Sequence, residues 1–219
     1  MNIFDIMGPI MIGPSSSHTA GAVRIGKIAR MILGEDVREA RIELHGSFAE
    51  TYRGHGTDRA IVAGLMLMDT DDERIPDSLE IAAERGMKYT IEPVVISGAH
   101  PNTARLFLKG EHQETEVMAS SVGGGAIVVT EIDHIAVSFD GNLNTLVISH
   151  LDEPGVIHHV TSVLDAFDIN IGKLECSRTE RGHQAVMTIE VDQEVPAAVL
   201  SKLEKTDHVE KCILISKIV

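Results

Sequence analysis

Apolar residues recur at helical spacing early in the chain. Ala22, Ile25, Ile28, Ala29 and Ile32 fall on one stripe, which predicts a helix over 17–33. Gly34, Glu35 and Asp36 end it. Residues 40–45 alternate and read as a strand. A glycine-bounded turn then opens a helix over 56–68, with Ala63, Met66 and Leu67 as core candidates. A short helix follows over 78–85, and strands are expected at 87–96, 104–108, 114–121 and 126–132.

The last third is more regular. Residues 144–150 form a β-rich strand, broken by Leu151-Asp152-Glu153-Pro154-Gly155. Val156, Val160, Val163, Leu164 and Phe167 recur at helical spacing. Strands over 169–177 and 184–191 flank a polar turn. Pro196 opens a helix carrying Val199, Leu200 and Leu203, and 212–219 is a final strand. The order is βαββαβ, the split βαβ arrangement.

These elements divide the chain at the polar turn Phe139-Asp140-Gly141-Asn142. We expect one domain over 1–142 and a second over 143–219. The Asp152-Glu153-Pro154-Gly155-Val156 junction, at the first strand–helix boundary of the βαββαβ unit, resembles an ACT domain. The resemblance implies either regulation by a small ligand, often an amino acid, or side-by-side pairing of sheets between chains. Homodimer contacts through the ACT sheet edges are therefore expected.

Composition narrows the function. The 219 residues carry 19 basic and 33 acidic side chains, a formal charge of −14. Nucleic-acid binders draw affinity from neutralising phosphates, so this charge argues against one. Trp is absent and Tyr and Phe are few, which removes base-stacking platforms. No apolar run reaches the ~18 residues that a membrane span needs, and the N-terminal stretch lacks a basic signal-peptide region. A cytoplasmic protein is expected. Cys176 and Cys212 are the two cysteines, and they form no C-x-x-C pair. Free thiols fit best, although a disulfide stays open. Two thiolates fall short of the roughly four ligands of a cubane iron–sulfur cluster.

Four stretches can carry chemistry. Gly13-Pro14-Ser15-Ser16-Ser17-His18-Thr19 precedes the first helix, where free N–H groups and the helix dipole favour an anion. The alternative is that one serine is only an N-cap. Tyr52-Arg53-Gly54-His55-Gly56-Thr57-Asp58 holds a histidine between glycines on a tight backbone, where its ring can act as base or acid. Asp58 either orients that ring or caps the next helix. Ser97-Gly98-Ala99-His100-Pro101-Asn102-Thr103 displays His100 and Asn102, the latter suited to a substrate amine or carboxylate; an ordinary turn is the alternative. Ser120-Ser121-Val122-Gly123-Gly124-Gly125 lets backbone pass close to a ligand or chain, or is a hinge. It lacks the G-x-G-x-x-G spacing of a dinucleotide site.

Together, G-P-S-S-S-H-T at 13–19, G-H-G-T-D at 54–58 and H-P-N at 100–102, followed by the ACT-like unit, resemble the beta subunit of bacterial iron–sulfur-dependent L-serine dehydratase. The fold implied is α/β (α+β). Its mixed-sheet first domain resembles the allosteric substrate-binding domain of phosphoglycerate dehydrogenase, and a ferredoxin-like ACT domain follows. The activity implied is conversion of L-serine to pyruvate and ammonia, as an L-serine ammonia-lyase. The cofactor implied is a [4Fe-4S] cluster, with ligands supplied by a partner alpha subunit. The resemblance makes His55 the first candidate for the base, with His18 and His100 assisting. Ser15, Ser16, Ser17, Thr19, Asn102 and Asp58 are the substrate-binding candidates. The phosphoglycerate dehydrogenase likeness implies a second reading: a serine-sensing regulatory module without chemistry of its own.

Overall fold

The computed structural model describes residues 9–218 and divides into two compact units, one up to Asp133 and one from His134. In the first unit a π-helical turn, Ser16–Ala20, runs into α1 (Gly21–Leu33). Strand β1 (Glu39–His45) is followed by α2 (Ser47–His55), α3 (Thr57–Leu65), a 3-10 turn at Ile75–Asp77 and α4 (Ser78–Glu84). Strands β2 (Lys88–Val94), β3 (Thr103–Lys109), β4 (Glu114–Gly123) and β5 (Ala126–Ile132) complete it. Within this unit the strands run in the order β2-β1-β3-β4-β5. β1 and β2 are parallel, and β3, β4 and β5 continue antiparallel. The sheet is mixed because three helices carry the chain from β1 back to the start of β2, while hairpins suffice elsewhere.

Strand alternation sets the core. Ala40, Ile42 and Leu44 of β1 and Ala104, Leu106 and Leu108 of β3 are buried, with Ile25, Ile28 and Ile32 of α1 and Ile61 and Leu65 of α3. The intervening residues Arg41, Glu43, Arg105 and Phe107 form the other face, where the Arg41 guanidinium lies 3.5 Å over the Phe107 ring. Glycines bring α1 and α3 together. A Cβ on Gly26 would lie under 3.0 Å from Ile61 O, and one on Gly64 under 3.0 Å from Val23 O. These two helices meet backbone to backbone, so the Ser16–Ala20 turn and the start of α3 are held in fixed relation.

The second unit opens with β6 (Ile135–Phe139), which the pattern of hydrophobic residues did not predict. It continues through β7 (Asn144–Leu151), α5 (Val156–Asp165), β8 (Ile171–Arg178), β9 (Gln184–Val191), α6 (Ala197–Leu203) and β10 (Val209–Ile215). The order β10-β7-β9-β8 is antiparallel throughout. The expected βαββαβ is present. Gly155 takes a left-handed φ of 98° at the N-cap of α5, the conformation that the Asp152–Gly155 junction requires of a glycine. The final strand starts earlier than expected, at Val209, and Val219 lies outside the described residues. Among the described residues, no helix is long and apolar enough to cross a membrane.

Candidate functional site

The site lies in the first unit, at one end of its sheet's strands. β1 and β2 end there, β3 begins there, and β4 returns there. Open α/β sheets bind ligands beyond the carboxyl ends of their parallel strands.

The serine segment folds as a cap that continues into the π-helical turn. Ser15 is extended, and its hydroxyl accepts the His18 N–H at 3.2 Å while its carbonyl accepts the Thr19 N–H at 2.8 Å. Ser15 is thus the N-cap, and Ser16 and Ser17 follow half-buried in the turn. Gly13, at φ 143°, lies directly over Thr19, where a Cβ would collide with the Thr19 side chain. Thr19 is buried, and its hydroxyl donates to the His55 carbonyl at 3.3 Å.

His18 and His55 meet edge to face, with ring centres 4.8 Å apart at 86°. Phe48 packs on the other side of His18 at 5.3 Å. The Ser47 hydroxyl lies 3.0 Å from His18 Nε2, and the Ser15 hydroxyl 3.4 Å from Nδ1. Burial pushes the His18 pKa down, the neighbouring His55 lowers it further, and a hydrogen bond to the Ser47 main chain opposes both. His18 is therefore a neutral imidazole near pH 7. The geometry corrects the expectation for His55, which is the last residue of α2 and not part of a loop. Gly54 continues the helix, and Gly56 ends it in a left-handed C-cap at φ 68°. His55 Nδ1 is buried with no hydrogen-bond partner among the described residues.

The His100 loop reaches the same end. Pro101 O accepts the Phe48 N–H at 3.4 Å, and Asn102 O accepts the Ser121 N–H at 2.9 Å. Gly46 makes the first approach possible. It sits at φ 57° and ψ −127°, and a Cβ there would lie under 3.0 Å from Pro101. The exposed His100 ring accepts the Asn102 N–H at Nδ1, 3.2 Å away, so the proton of its neutral form sits on Nε2. His100 thereby presents Nε2–H as a hydrogen-bond donor. Asn102 Oδ1 is buried and unpartnered among the described residues. No hydrogen bond or ring contact joins His100 or Asn102 to the His18–His55 pair among the described residues. Asp58 lies in the first turn of α3 and accepts the Arg59 N–H at 2.8 Å, whereas the N-cap of that helix is Gly56.

Sequence reasoning missed several residues here. Ser47 and Phe48 had no local signal, because they gain meaning only when β1 delivers them against His18. Ser121, which belongs to the Ser120–Gly125 stretch singled out in the sequence, is buried beside the helix start at Gly21, where a Cβ would displace it, and its hydroxyl is unpartnered among the described residues. Arg24 donates to the Gly125 carbonyl at 2.9 Å and ties the glycine hairpin to α1; burial pushes its pKa down. A lone arginine among Ala22, Val23 and Ile25 was the available clue.

The thiols belong to the second unit. Cys176 is exposed on β8 and Cys212 buried on β10. These strands are the two edges of the sheet, separated by β7 and β9. Three strand spacings are about 14 Å, beyond the reach of a disulfide or a shared cluster. Burial pushes the Cys212 thiol up to about 12, further from the thiolate that iron requires. The donor set of this chain does not fit an iron–sulfur cluster.

Fold and site define a two-unit α/β protein that joins a histidine-and-hydroxyl centre to an ACT domain. The chain belongs to the serine dehydratase beta chain family: residues 2–132 match the family model for "Serine dehydratase beta chain", and residues 144–208 match the ACT domain. It is 44% identical over 210 residues to the "Probable L-serine dehydratase, beta chain" of Bacillus subtilis, covering 95% of this chain and 94% of that one. It is 37% identical over 202 residues to the "L-serine dehydratase, beta chain" of Peptoniphilus asaccharolyticus, covering 91% of each. The likeness to phosphoglycerate dehydrogenase is also present, at 23% identity over 195 residues of the Bacillus subtilis protein, covering 89% of this chain and 37% of that one.

Proposed function

We propose that this chain is the beta subunit of an L-serine ammonia-lyase that converts L-serine to pyruvate and ammonia. An alpha subunit completes the enzyme and holds a [4Fe-4S] cluster. The beta-chain names of its relatives support such a partner, and the misfit of this chain's own thiols to a cluster agrees with it. A cytoplasmic setting and pairing of ACT sheets between copies belong to the same reading.

One observation carries the chemistry: the buried, unpartnered Nδ1 of His55 beside a neutral His18. A buried nitrogen without a partner is costly, and an incoming ligand can satisfy it. His55 takes the α-proton of serine as the general base. Ser16 and Ser17 hold the carboxylate at the helix start, with Asn102 on the amino group, while Thr19, whose hydroxyl donates to the His55 carbonyl, positions that histidine. His18 supports His55, and neutral His100 donates a hydrogen bond from Nε2 to the departing hydroxyl, which leaves as water with the proton that His55 removed. Loss of the α-proton and of the hydroxyl as water leaves an enamine, which tautomerises. Water then hydrolyses the imine to pyruvate and ammonia.

The test is anaerobic co-expression with the cognate alpha chain, measuring iron and serine-dependent pyruvate. His55→Asn should cost ~10²–10⁴-fold in turnover, the usual worth of a general base. Full turnover by that variant removes His55 from the role. A second reading, a serine-sensing module without chemistry, draws on the phosphoglycerate dehydrogenase likeness. It predicts serine binding by the isolated chain and no pyruvate from any complex.

A further inference from the structure

We propose that Arg24 recognises the carboxylate of the amino-acid substrate, with the Ser121 hydroxyl beside it, an inference that rests on the function proposed above. Arg24, Arg30, Arg41 and Arg105 are the half-buried arginines among the described residues. Arg30 pairs with Asp36 at 2.8 Å, Arg41 with Glu43, and Arg105 with Glu43 and Glu116 at 3.7 and 3.4 Å. Arg24 has no carboxylate partner among the described residues. Its side chain bonds there to the Gly125 carbonyl, which leaves most of the donors of its guanidinium fork unused. A cation drawn from water without a counter-ion is costly, and burial already pushes its pKa down. The vacancy suits one negative charge, and the planar fork matches a carboxylate.

The surroundings of Arg24 belong to the site. Gly21 and Arg24 lie one turn apart on one face of α1. A Cβ on Gly21 would displace Ser121, whose hydroxyl is buried and unpartnered among the described residues. Gly125 lies against Ala20, and a Cβ there would be 3.6 Å from the Ala20 Cβ. The bond to Gly125 thus draws the Arg24 head back toward the end of the Ser16–Ala20 turn, the direction in which helical side chains lean. The hairpin leaves room beside it. Gly124 and Gly125 form its two-residue turn, at φ 60° and 83°, and a Cβ on Gly123 or Gly124 would meet nothing within 4 Å. A charged fork, an unpartnered buried hydroxyl and the turn carrying Ser16 and Ser17 therefore share one end of α1. Hydroxyls bond an amide as readily as a carboxylate, so Arg24 is the group that selects an acid.

The experiment uses the complex with the cognate alpha chain, assembled anaerobically from wild type, Arg24→Met, Arg24→Gln or Arg24→Lys. Arg85→Met, at the exposed C-cap of α4, is the control. KM and kcat for L-serine are measured, with the inhibition constant of L-serinamide, in which a neutral amide replaces the carboxylate. Melting of each beta chain is also recorded. Arg24→Met should raise the KM at least ~10-fold, the scale of a lost hydrogen bond between charged groups, with kcat and the serinamide constant near wild type. Arg24→Lys, which keeps the charge, should lie between, and Arg85→Met should match wild type. An unchanged KM overturns the inference. So do equal changes in the two constants, because a residue that only ties the hairpin to α1 treats both ligands alike. Should Arg24→Met melt early, Arg24→Gln, which keeps a donor but no charge, decides by the same ratio. If the wild-type complex forms no pyruvate, the function reading fails instead, and equilibrium dialysis of labelled L-serine against each beta chain decides. Binding lost with Arg24→Met then keeps Arg24 at the carboxylate, and equal binding, or none by wild type, overturns it.

Discussion

The His18 ring stands perpendicular to the His55 ring at 4.8 Å, although 37 positions separate them in the sequence. Two segments enforce this pairing. The capped turn at Ser15 aims His18, and the left-handed Gly56 cap stops α2 at His55. The Thr19 hydroxyl then ties the turn to the His55 carbonyl.

The pairing has a consequence for pH. Burial and then the His55 charge lower the His18 pKa below its ordinary 6.5. Replacing His55 with Asn removes the second cause, so the His18 titration midpoint should rise toward 6.5, read from its imidazole proton shifts by NMR. The folded state binds fewer protons than the unfolded state between the lowered value and 6.5. Stability should therefore rise with pH across that window and be lost as pH falls below about 6.5. Urea midpoints at pH 5.5 and 7.5 should differ more for wild type than for His18→Asn. Equal differences would show that His18 titrates normally.

The α1–α3 crossing gives a prediction about stability. Gly64 sits against Val23 O and Gly26 against Ile61 O. A methyl group at either glycine must push the helices apart. Gly64→Ala should destabilise the first unit by about 1–3 kcal/mol, the usual cost of overpacking. The melting temperature should fall by roughly 2–4 °C for each kcal/mol. An unchanged melting curve would mean that the helices are not in backbone contact.

Gly46 links fold to site more directly. It combines φ 57° with ψ −127°, which L-residues avoid, and it lies against Pro101. Gly46→Ala should leave a folded chain but displace Ser47 from His18 and shift the His100–Asn102 loop. In the assembled complex, pyruvate formation should fall about 100-fold, the scale of a 1 Å misplacement. The unfolding midpoint should fall as well, because Ala at this φ and ψ is strained and its Cβ meets Pro101, so turnover is compared per folded complex. Unaltered turnover would show that neither Ser47 nor the loop position matters to the reaction.

These residues also show what the sequence could reveal. The βαββαβ unit was legible because each element buries one face, and the period of its apolar residues declares its type. α1 was legible for the same reason. α2 was not: in Ser47–His55 only Phe48 is buried, so no stripe marks it as a helix, and Gly54 argues against one. His55 was therefore found as a residue and misplaced as structure. Strand β6 is five residues long and lies at the seam, too short for a pattern. The serine segment, His18, His55 and Asn102 were visible as unusual polar runs. Ser47 and Arg24 were not, because each acts on a segment far away in the sequence.

The cysteines provide a last, inexpensive check on the second unit. Cys176 is exposed on its edge strand, with His150 Nε2 3.5 Å from its sulfur. His150 Nδ1 lies 2.8 Å from the Leu151 carbonyl, which can only accept, so the proton sits on Nδ1 and Nε2 faces the thiol as an acceptor. Burial nevertheless pushes the Cys176 thiol up, and Asp152 adds to this, so it should react at an ordinary or slow rate. Cys212 is buried, and its thiol is pushed up to about 12. A disulfide-exchange reagent at pH 8 should therefore label one thiol in the folded chain and two after denaturation. Cys176→Ser should abolish the native phase and leave the denatured one. Two thiols reacting at equal rates in the folded chain would show that β10 does not bury Cys212 against the helices. No reaction from either, before or after unfolding, would mean that the two are joined, contrary to their places at opposite edges of the sheet.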